Sequence, residues 1–135
     1  TMTNRYLLDT NAIVEMLRGN HCIIEQIERH GIKNCFISEI TIAELYYGAV
    51  KSGNSKHFKD IEIIESLFQT VPLYPSYLEY ARIRHSLVSL GLGIDTFDML
   101  IGATAVQGKY ILVTHNQKHF VRIPHLAIED WQMLD

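Results

Sequence analysis

Three carboxylates lie at positions where a protein core disfavours charge. Asp9 directly follows the apolar run 6–8, which predicts a short buried strand. Glu44 and Asp98 each lie within a predicted helix that is apolar nearly all round. A lone buried carboxylate is costly or stays protonated, and three facing one another would be worse unless a cation lay between them. These positions therefore predict a cation site.

The ligand type indicates which cation and which chemistry. Carboxylate oxygens without a His or Cys cluster favour Mg²⁺ or Mn²⁺ over zinc. Carboxylate-bound Mg²⁺ is common in enzymes that hydrolyse phosphodiesters. His115 and His119 have a spacing that binds zinc on a helix, but Asn116 disfavours a helix start there and no acidic third ligand is adjacent. We therefore do not expect a zinc site.

Each carboxylate also has a purely structural explanation. Asp9 could cap a turn or helix, and Glu44 could extend to solvent or pair with a nearby cation. Asp95 and Asp98 form an Asp-x-x-Asp pattern at a predicted helix start, where negative charge is favoured. For Asp95 we favour the capping role, with a supporting role at the metal second. For Asp98 the structural and functional interpretations are evenly matched.

Short apolar runs alternate with helical patterns along the chain. Strands are predicted at 6–8, 35–37, 71–73, 110–113 and 126–128. Helices are predicted at 10–18, 21–30, 39–51, 55–69, 77–90 and 95–106, with a turn or short helix at 118–120. This alternation predicts an α/β fold, a three-layer α/β/α sandwich with a short, mainly parallel central sheet. Such sheets bind ligands beyond the carboxyl ends of their strands, where Asp9 would lie.

The composition is that of one folded domain. The 135 residues are 47% hydrophobic and 20% charged, without a repeat or a linker, so we expect a single domain over 2–135. Thr1 precedes Met2 and is interpreted as a cloning remnant. The net charge of −3 disfavours a nucleic-acid binder that relies on overall positive charge. A local basic path or recruited metal cations would still permit such binding.

Cysteine usage and hydropathy predict the compartment. Cys22 and Cys35 lie in apolar surroundings, and two cysteines do not form a disulfide framework. No apolar run approaches the ~20 residues of a membrane span. The chain start leads directly into a strand-like segment, without the pattern of a signal peptide. We expect a cytoplasmic protein without membrane association.

Four segments, in order, carry a resemblance to a known family. Leu-Leu-Asp-Thr-Asn (7–11), the helical segment 38–49, the segment 98–105 and the closing segments 113–116 and 118–120 resemble the motifs of PIN-domain ribonucleases. Ile-Glu-Asp-Trp (128–131) resembles the tail typical of VapC toxins. Each motif alone is weakly specific, but the ordered set covers nearly the whole chain. The small size, with no appended domain, indicates the VapC-like branch.

The resemblance implies an activity for the three carboxylates. Asp9, Glu44 and Asp98 match the family's catalytic acidic triad, which holds one or two Mg²⁺ or Mn²⁺ ions. The implied function is a metal-dependent endoribonuclease toxin. Activated water would attack the phosphorus in line and leave 5′-phosphate and 3′-hydroxyl ends. Relatives cut transfer RNA, ribosomal RNA loops or messenger RNA, and no residue here selects among these substrates.

The resemblance also implies supporting residues. Thr114 matches a position that supports the site by hydrogen bonding, and Thr10 and Asn11 follow the first aspartate as in the family. A fourth acidic position is common in the family, but the closing motif here has Asn116, which carries no charge. Asp95 could supply a fourth carboxylate to the metal site, an inference of our own.

The resemblance further implies a homodimer and a VapB-like antitoxin that fills a groove of the toxin. The apolar segments 23–24, 42–47 and 61–68 are candidate partner faces, although packing in the core is their default explanation. Candidate RNA contacts are Arg18, Lys51, Arg82, Arg84, Lys118 and Arg122. Each of these is more often an ordinary surface charge, so none is assigned.

Two other classes of function stay open. One is an aspartyl phosphotransfer enzyme with Asp9 as nucleophile, but that chemistry favours a second aspartate two residues later, where Asn11 stands. The other is a catalytically inert PIN-like module that binds RNA or a protein partner. A complete acidic triad argues against the inert module, because such a module has no need of three clustered carboxylates.

Overall fold

A computed structural model describes residues 3–133 of the chain. The expected cloning remnant at Thr1, and both ends of the domain predicted at 2–135, lie outside the described residues. The strands are β1 (Tyr6–Leu8), β2 (Cys35–Ser38), β3 (Gln69–Val71), β4 (Ile111–Val113) and β5 (Ile128–Glu129). The helices are α1 (Thr10–Leu17), α2 (His21–His30), α3 (Glu39–Ser52), α4 (Lys56–Leu67), α5 (Tyr77–Ser89), α6 (Thr96–Gly108) and α7 (Gln117–Phe120). No helix within 3–133 is both long and apolar enough to cross a membrane.

The five strands form one sheet in the order β3-β2-β1-β4-β5. Every neighbouring pair is parallel, and Tyr6 of β1 lies between Cys35 of β2 and Ile111 of β4. The prediction of a mainly parallel sheet is confirmed, and all of the described strand pairs are parallel. The carboxyl ends of all five strands therefore meet at one edge.

Helices cover both faces of the sheet, which confirms the three-layer α/β/α prediction. Along β1, Tyr6 and Leu8 belong to one apolar core, and Leu7 belongs to the other. The first core is completed by side chains of α1 to α4, among them Ile13, Ile23, Leu45 and Ile61. The second is completed by side chains of α5 to α7, among them Ile83, Ile101 and Phe120. Both faces of the central strands β1 and β2 are buried, which explains their continuous apolar runs.

Short polar side chains begin the helices that matter for the site. Oδ1 of Asp9 accepts a hydrogen bond from the Ala12 N–H and caps α1, which confirms the capping role considered for Asp9 from the sequence. Ser38 caps α3, because its side chain accepts a hydrogen bond from the Ile40 N–H. A cap directly after a strand turns the chain at the edge of the sheet and satisfies free N–H groups of the first helical turn.

Two predicted strands are displaced by about two residues. The edge strand expected at 71–73 is Gln69–Val71, because Pro72 has no N–H to donate and cannot continue the strand pairing. The last strand, expected at 126–128, is Ile128–Glu129, where it pairs with Leu112 and Val113. This displacement puts Asp130 directly after a strand end.

The apolar segments proposed as partner faces divide between core and surface. Ile23 and Ile61 are buried, so core packing accounts for them. Tyr47 is 68% exposed and Ile63 is 52% exposed, so core packing does not account for these side chains. Only part of each predicted face is therefore available to a partner.

Candidate active site

The fold brings the three predicted catalytic carboxylates to one edge of the sheet. Asp9 follows β1, Glu44 lies in α3 directly after β2, and Asp98 lies in the first turn of α6. The charge of Glu44 contributes to a raised pKa of both Asp9 and Asp98, and the charge of Asp9 adds to that of Asp98. The three side chains are thus close enough to repel one another.

Asp9 is buried and fixed by hydrogen bonds. Its side chain accepts hydrogen bonds from the Ala12 N–H, at 2.8 Å, and from the Thr114 hydroxyl. Burial raises its pKa, and the charges of Glu44 and Asp130 raise it further, while the two hydrogen bonds lower it. Its N–H donates to the Val113 carbonyl at 3.0 Å, so backbone and side chain are both held.

Glu44 is half-buried and is positioned from helix α1. The Thr10 hydroxyl lies 2.6 Å from Oε1 of Glu44 and donates a hydrogen bond to it. Oγ1 of Thr41 lies 3.1 Å from the same hydroxyl. No Lys, Arg or His of the described chain forms an ion pair with Glu44, so the suggested pairing with a cation is wrong. Thr10 is predicted as a supporting residue, and it contacts the Glu44 carboxylate.

Asp98 is half-buried, and its carboxyl group has a raised pKa. Burial raises its pKa to about 6, with further contributions from the charges of Asp95, Glu44 and Asp9. Asp95 is exposed and caps α6, since its Oδ1 accepts from the N–H groups of Phe97 at 2.9 Å and Asp98 at 3.3 Å. The capping role preferred for Asp95 is confirmed, and its role as a metal ligand stays a prediction.

The closing motif supports the site from β4. Thr114 is buried, its N–H donates to the Glu129 carbonyl at 2.9 Å, and its Oγ1 accepts from the Asn116 N–H at 3.0 Å. Asn116 is half-buried, and its side-chain Nδ2 lies 3.1 Å from Nδ1 of His119. Asn11, the remaining predicted supporting residue, is exposed on α1 and lines a neighbouring pocket. Thr114 is therefore the supporting residue that contacts Asp9 directly.

Asp130 is a carboxylate of this edge that we did not predict as part of the site. It follows β5, is mostly buried, and its charge raises the pKa of Asp9. Its Oδ2 lies 2.8 Å from Nδ1 of His115, and its Oδ1 accepts from the Gln132 N–H at 2.9 Å. The rule that placed Asp9 beyond a strand end could also have found Asp130, had the last strand been predicted two residues later.

The donor set fits a hard divalent cation in its chemistry. All three predicted ligands are carboxylates, and a cation between them would offset the burial and the neighbouring negative charges that raise the pKa of Asp98. As they stand, no three His, Cys, Asp or Glu side chains within residues 3–133 are near enough to hold one metal ion together. A cation would therefore have to draw the carboxylates closer.

Comparison with known proteins agrees with this fold and site. The family profile for the PIN domain matches residues 6–126. This match covers most of the chain, and the chain therefore belongs to the PIN-domain family.

Within that family the similarity is to VapC proteins. Ribonuclease VapC1 of Haemophilus influenzae strain R2866 is 34% identical over 132 residues, which cover 93% of this chain and 97% of that protein. Ribonuclease VapC1 of Rickettsia felis is 35% identical over 127 residues, which cover 90% and 92%. The crystal structure of VapBC2 from Rickettsia felis bound to a promoter DNA fragment contains a chain that is 32% identical, with a TM-score of 0.87 over 93% of this chain and 98% of that one. The predicted resemblance to the PIN domain and its VapC branch is confirmed.

Proposed function

We propose that this protein is a Mg²⁺- or Mn²⁺-dependent endoribonuclease, the toxin of a toxin–antitoxin pair. The observation that carries the proposal is that Asp9, Glu44 and Asp98 meet at the carboxyl edge of the sheet, where burial and neighbouring charges raise the pKa of Asp9 and of Asp98. Similarity over nearly the full length to proteins named ribonuclease VapC1 supports the nuclease activity.

Neighbouring residues hold the carboxylates that would bind the cation. When bound, the cation supplies Lewis acidity toward a phosphate and acidifies water for hydrolysis. Asp9 provides a rigid carboxylate because Ala12 and Thr114 hold it, and Thr10 orients Glu44. Without a cation, the three negative charges oppose an RNA phosphate, so RNA binding at this edge depends on the metal.

We propose that a VapB-like antitoxin binds in a groove beside Glu44. The groove has a volume of about 450 Å³, lies between α1, α3 and α4, and is lined by Leu17, Leu45 and Ile61 as well as Thr10 and Glu44. Its apolar walls fit the apolar face of a partner helix. A basic side chain of that partner would neutralise Glu44 and block the site. The solved relative VapBC2 supports the class of partner, whereas the groove itself is assigned from its lining.

We also propose a homodimer, with α5 as the contributing face. Its side chains Tyr77, Leu78 and Val88 are each about three-fifths exposed, which is unusual for a surface that faces only water. Light scattering of the purified chain should give twice its 15.5 kDa mass. Replacement of Leu78 and Val88 by Lys should return the mass to that of one chain, and an unchanged mass would place the interface elsewhere.

The cytoplasm stays our proposed compartment. Both Cys22 and Cys35 are free thiols, and burial raises the pKa of Cys35 to about 11, which keeps that thiol protonated and unreactive. Free thiols are the usual state in a reducing compartment.

The decisive experiment is cleavage of total bacterial RNA by the purified chain. It is run with Mn²⁺, with Mg²⁺ and with EDTA, and the cut ends are mapped. We expect metal-dependent cuts that carry 5′-phosphates. Asp9→Asn and Asp98→Asn should abolish them, because each removes one of the three charges that hold the cation.

A matched variant controls for the loss of any carboxylate. Glu28 is exposed on α2, away from the sheet edge, so Glu28→Gln should cleave like the wild type. Cleavage that survives both aspartate substitutions would indicate a contaminating nuclease or a different site, and would contradict the proposal.

A catalytically inert RNA-binding module is the second candidate. It is favoured by the spacing of the carboxylates, which are not close enough among the described residues to form a ready metal site. Calorimetric titration with Mn²⁺ distinguishes the two candidates, since an inert module should show no site that Asp98→Asn removes. If the folded protein neither binds Mn²⁺ nor cleaves RNA, the second candidate is favoured over the first.

A further inference from the structure

A polar pocket lies beside helix α1 and adjoins the antitoxin groove, with which it shares Val14 and Arg18. It has a volume of about 360 Å³ and separates α1 from the segments that follow β4 and β5. Asn11 lines it from α1, Asn116 from the closing motif and Gln132 from the chain end. Three neutral amide side chains, which can both donate and accept hydrogen bonds, thus surround one cavity.

The pocket is tied to the catalytic edge by short connections. Asn11 is two residues from Asp9, the first predicted ligand. Asn116 donates its N–H to Oγ1 of Thr114, and the Thr114 hydroxyl in turn bonds Asp9. A group bound in the pocket would therefore lie beside any phosphate that is held at the carboxylates.

The basic side chains around the pocket each contact a carboxylate. Arg18 at its rim lies 3.0 Å from Oε1 of Glu15, which also lines the cavity. His115 lies 2.8 Å from Asp130 through Nδ1, which leaves Nε2 for another partner. Among the described lining residues, both basic side chains, Arg18 and His115, have a carboxylate partner. This lining disfavours a phosphate and suits a neutral ligand with several donors and acceptors.

We infer that this pocket binds a nucleobase of single-stranded RNA beside the scissile phosphate. The inference rests on the proposed ribonuclease function and assigns that function a subsite. Asn and Gln amides recognise base edges with paired donors and acceptors, and unstacked bases are the usual determinant of sequence-specific RNA recognition. The His115 imidazole, held by Asp130, offers a ring on which a base can stack. Cleavage therefore depends on the identity of one nucleotide beside the cut.

A binding measurement tests the pocket without any cleavage. The four ribonucleosides are titrated into ¹⁵N-labelled protein, and the side-chain amide signals of Asn11, Asn116 and Gln132 are followed by NMR. At least one nucleoside should shift these signals, whereas ribose 5-phosphate should leave them unchanged. Equal shifts with ribose 5-phosphate, or no shifts with any nucleoside, would overturn the inference even if the protein is an active ribonuclease.

A cleavage measurement tests the consequence. RNA oligonucleotides with randomised sequence are cut by the wild type and by Gln132→Ala, and the preference at each position beside the cut is counted. The preference at one position should fall about five-fold or more, the factor expected for loss of a base contact. Gln107→Ala, an exposed glutamine near the end of α6, should keep the wild-type preference. An unchanged preference in Gln132→Ala would overturn the subsite, whereas the proposed function fails only if the wild type cuts no RNA.

Discussion

The hydroxyl of Thr10 lies 2.6 Å from Oε1 of Glu44 and joins helix α1 to helix α3 across the catalytic edge. Thr10 directly follows Asp9, whose backbone N–H is bound to Val113 of the neighbouring strand. The position of Glu44 is therefore coupled to the backbone that holds Asp9. One threonine thus fixes the relative position of two carboxylates that lie far apart in the sequence.

Thr10→Val tests this coupling, because valine keeps the shape of threonine and removes the hydroxyl. A hydrogen bond to a charged group contributes about 1.5–3 kcal/mol. Without it Glu44 loses its orientation, and we expect Mn²⁺ affinity and RNA cleavage to fall roughly 10- to 100-fold, as for other residues that orient metal ligands. Calorimetric titration with Mn²⁺ and single-turnover cleavage measure the two effects.

Thr70→Val is the matched control. Thr70 is half-buried in β3, the outermost strand on one side of the sheet, and valine is favoured in strands. It should leave Mn²⁺ binding unchanged. Wild-type Mn²⁺ affinity in Thr10→Val, with the fold intact by circular dichroism, would mean that Glu44 is positioned by other contacts.

Asp98→Asn should stabilise the metal-free protein. The unfolded carboxyl titrates near 3.8, and in the folded state its pKa is raised to about 6. Between these values the folded state holds more protons than the unfolded chain, so the free energy of unfolding decreases as pH rises through this window and stays lowered above it. Asparagine removes this penalty. After allowance for solvent screening, we expect a gain of about 1 kcal/mol at pH 7.5 and a smaller gain at pH 4.5.

Urea denaturation at the two pH values, with EDTA present, measures this difference. Glu28→Gln removes an exposed carboxylate and should change the free energy of unfolding by less than about 0.5 kcal/mol at both pH values. Saturating Mn²⁺ should reverse the order of wild type and Asp98→Asn, because only the wild type keeps the full set of ligands. A destabilised Asp98→Asn without metal would show that this carboxylate is not under repulsion.

Cation binding should weaken in mild acid. A carboxylate must lose its proton to bind a cation, and Asp98, with a pKa of about 6, takes up a proton within the accessible pH range. We expect Mn²⁺ affinity to be constant above about pH 7 and to fall about tenfold per pH unit below about pH 6. Titration with Mn²⁺ from pH 5 to pH 8 measures this profile. A constant affinity down to pH 5 would exclude Asp98 as a ligand.

Local patterns were sufficient to predict most of the fold. The strand at Tyr6–Leu8 and the helix at His21–His30 have the predicted bounds, because an apolar run and a helical repeat with clear ends determine them locally. The place of Asp9 followed from the rule that ligand sites lie at the carboxyl ends of parallel strands, whereas Asp98 was found as a carboxylate inside an apolar helix. Only the element order was needed to place Asp9.

The parts that were not predicted depend on contacts between distant segments. The edge strand β3 is positioned by its pairing with Phe36 and Ile37 and by the missing N–H of Pro72, and not by its apolar content. Asp130 follows β5 and contacts His115, which lies in the turn after β4. No local pattern records such a pair. The side-chain network around the carboxylates therefore became visible only in the folded structure.

Thr114→Val should move the pH dependence of the enzyme and not merely lower its stability. The Thr114 hydroxyl donates to Asp9 and lowers its pKa against the opposing effect of burial. Valine removes that donor, so the pKa of Asp9 rises further and a higher pH is needed to ionise it. We expect the acid limb of the cleavage profile, and that of Mn²⁺ binding, to shift to higher pH. The free energy of unfolding should fall by about 1–2 kcal/mol, because the Asn116 N–H also loses its acceptor.

Thr104→Val separates the electrostatic effect from the structural one. Thr104 is also buried, and its hydroxyl bonds the Leu100 carbonyl at 2.9 Å within α6, without contact to Asp9. Its replacement should leave the pH profile in place, whatever it does to stability. If both variants left the acid limb where it is in the wild type, Thr114 would only connect β4 to its following turn. A shift confined to Thr114→Val would show that this hydroxyl sets the pH at which Asp9 can bind a cation.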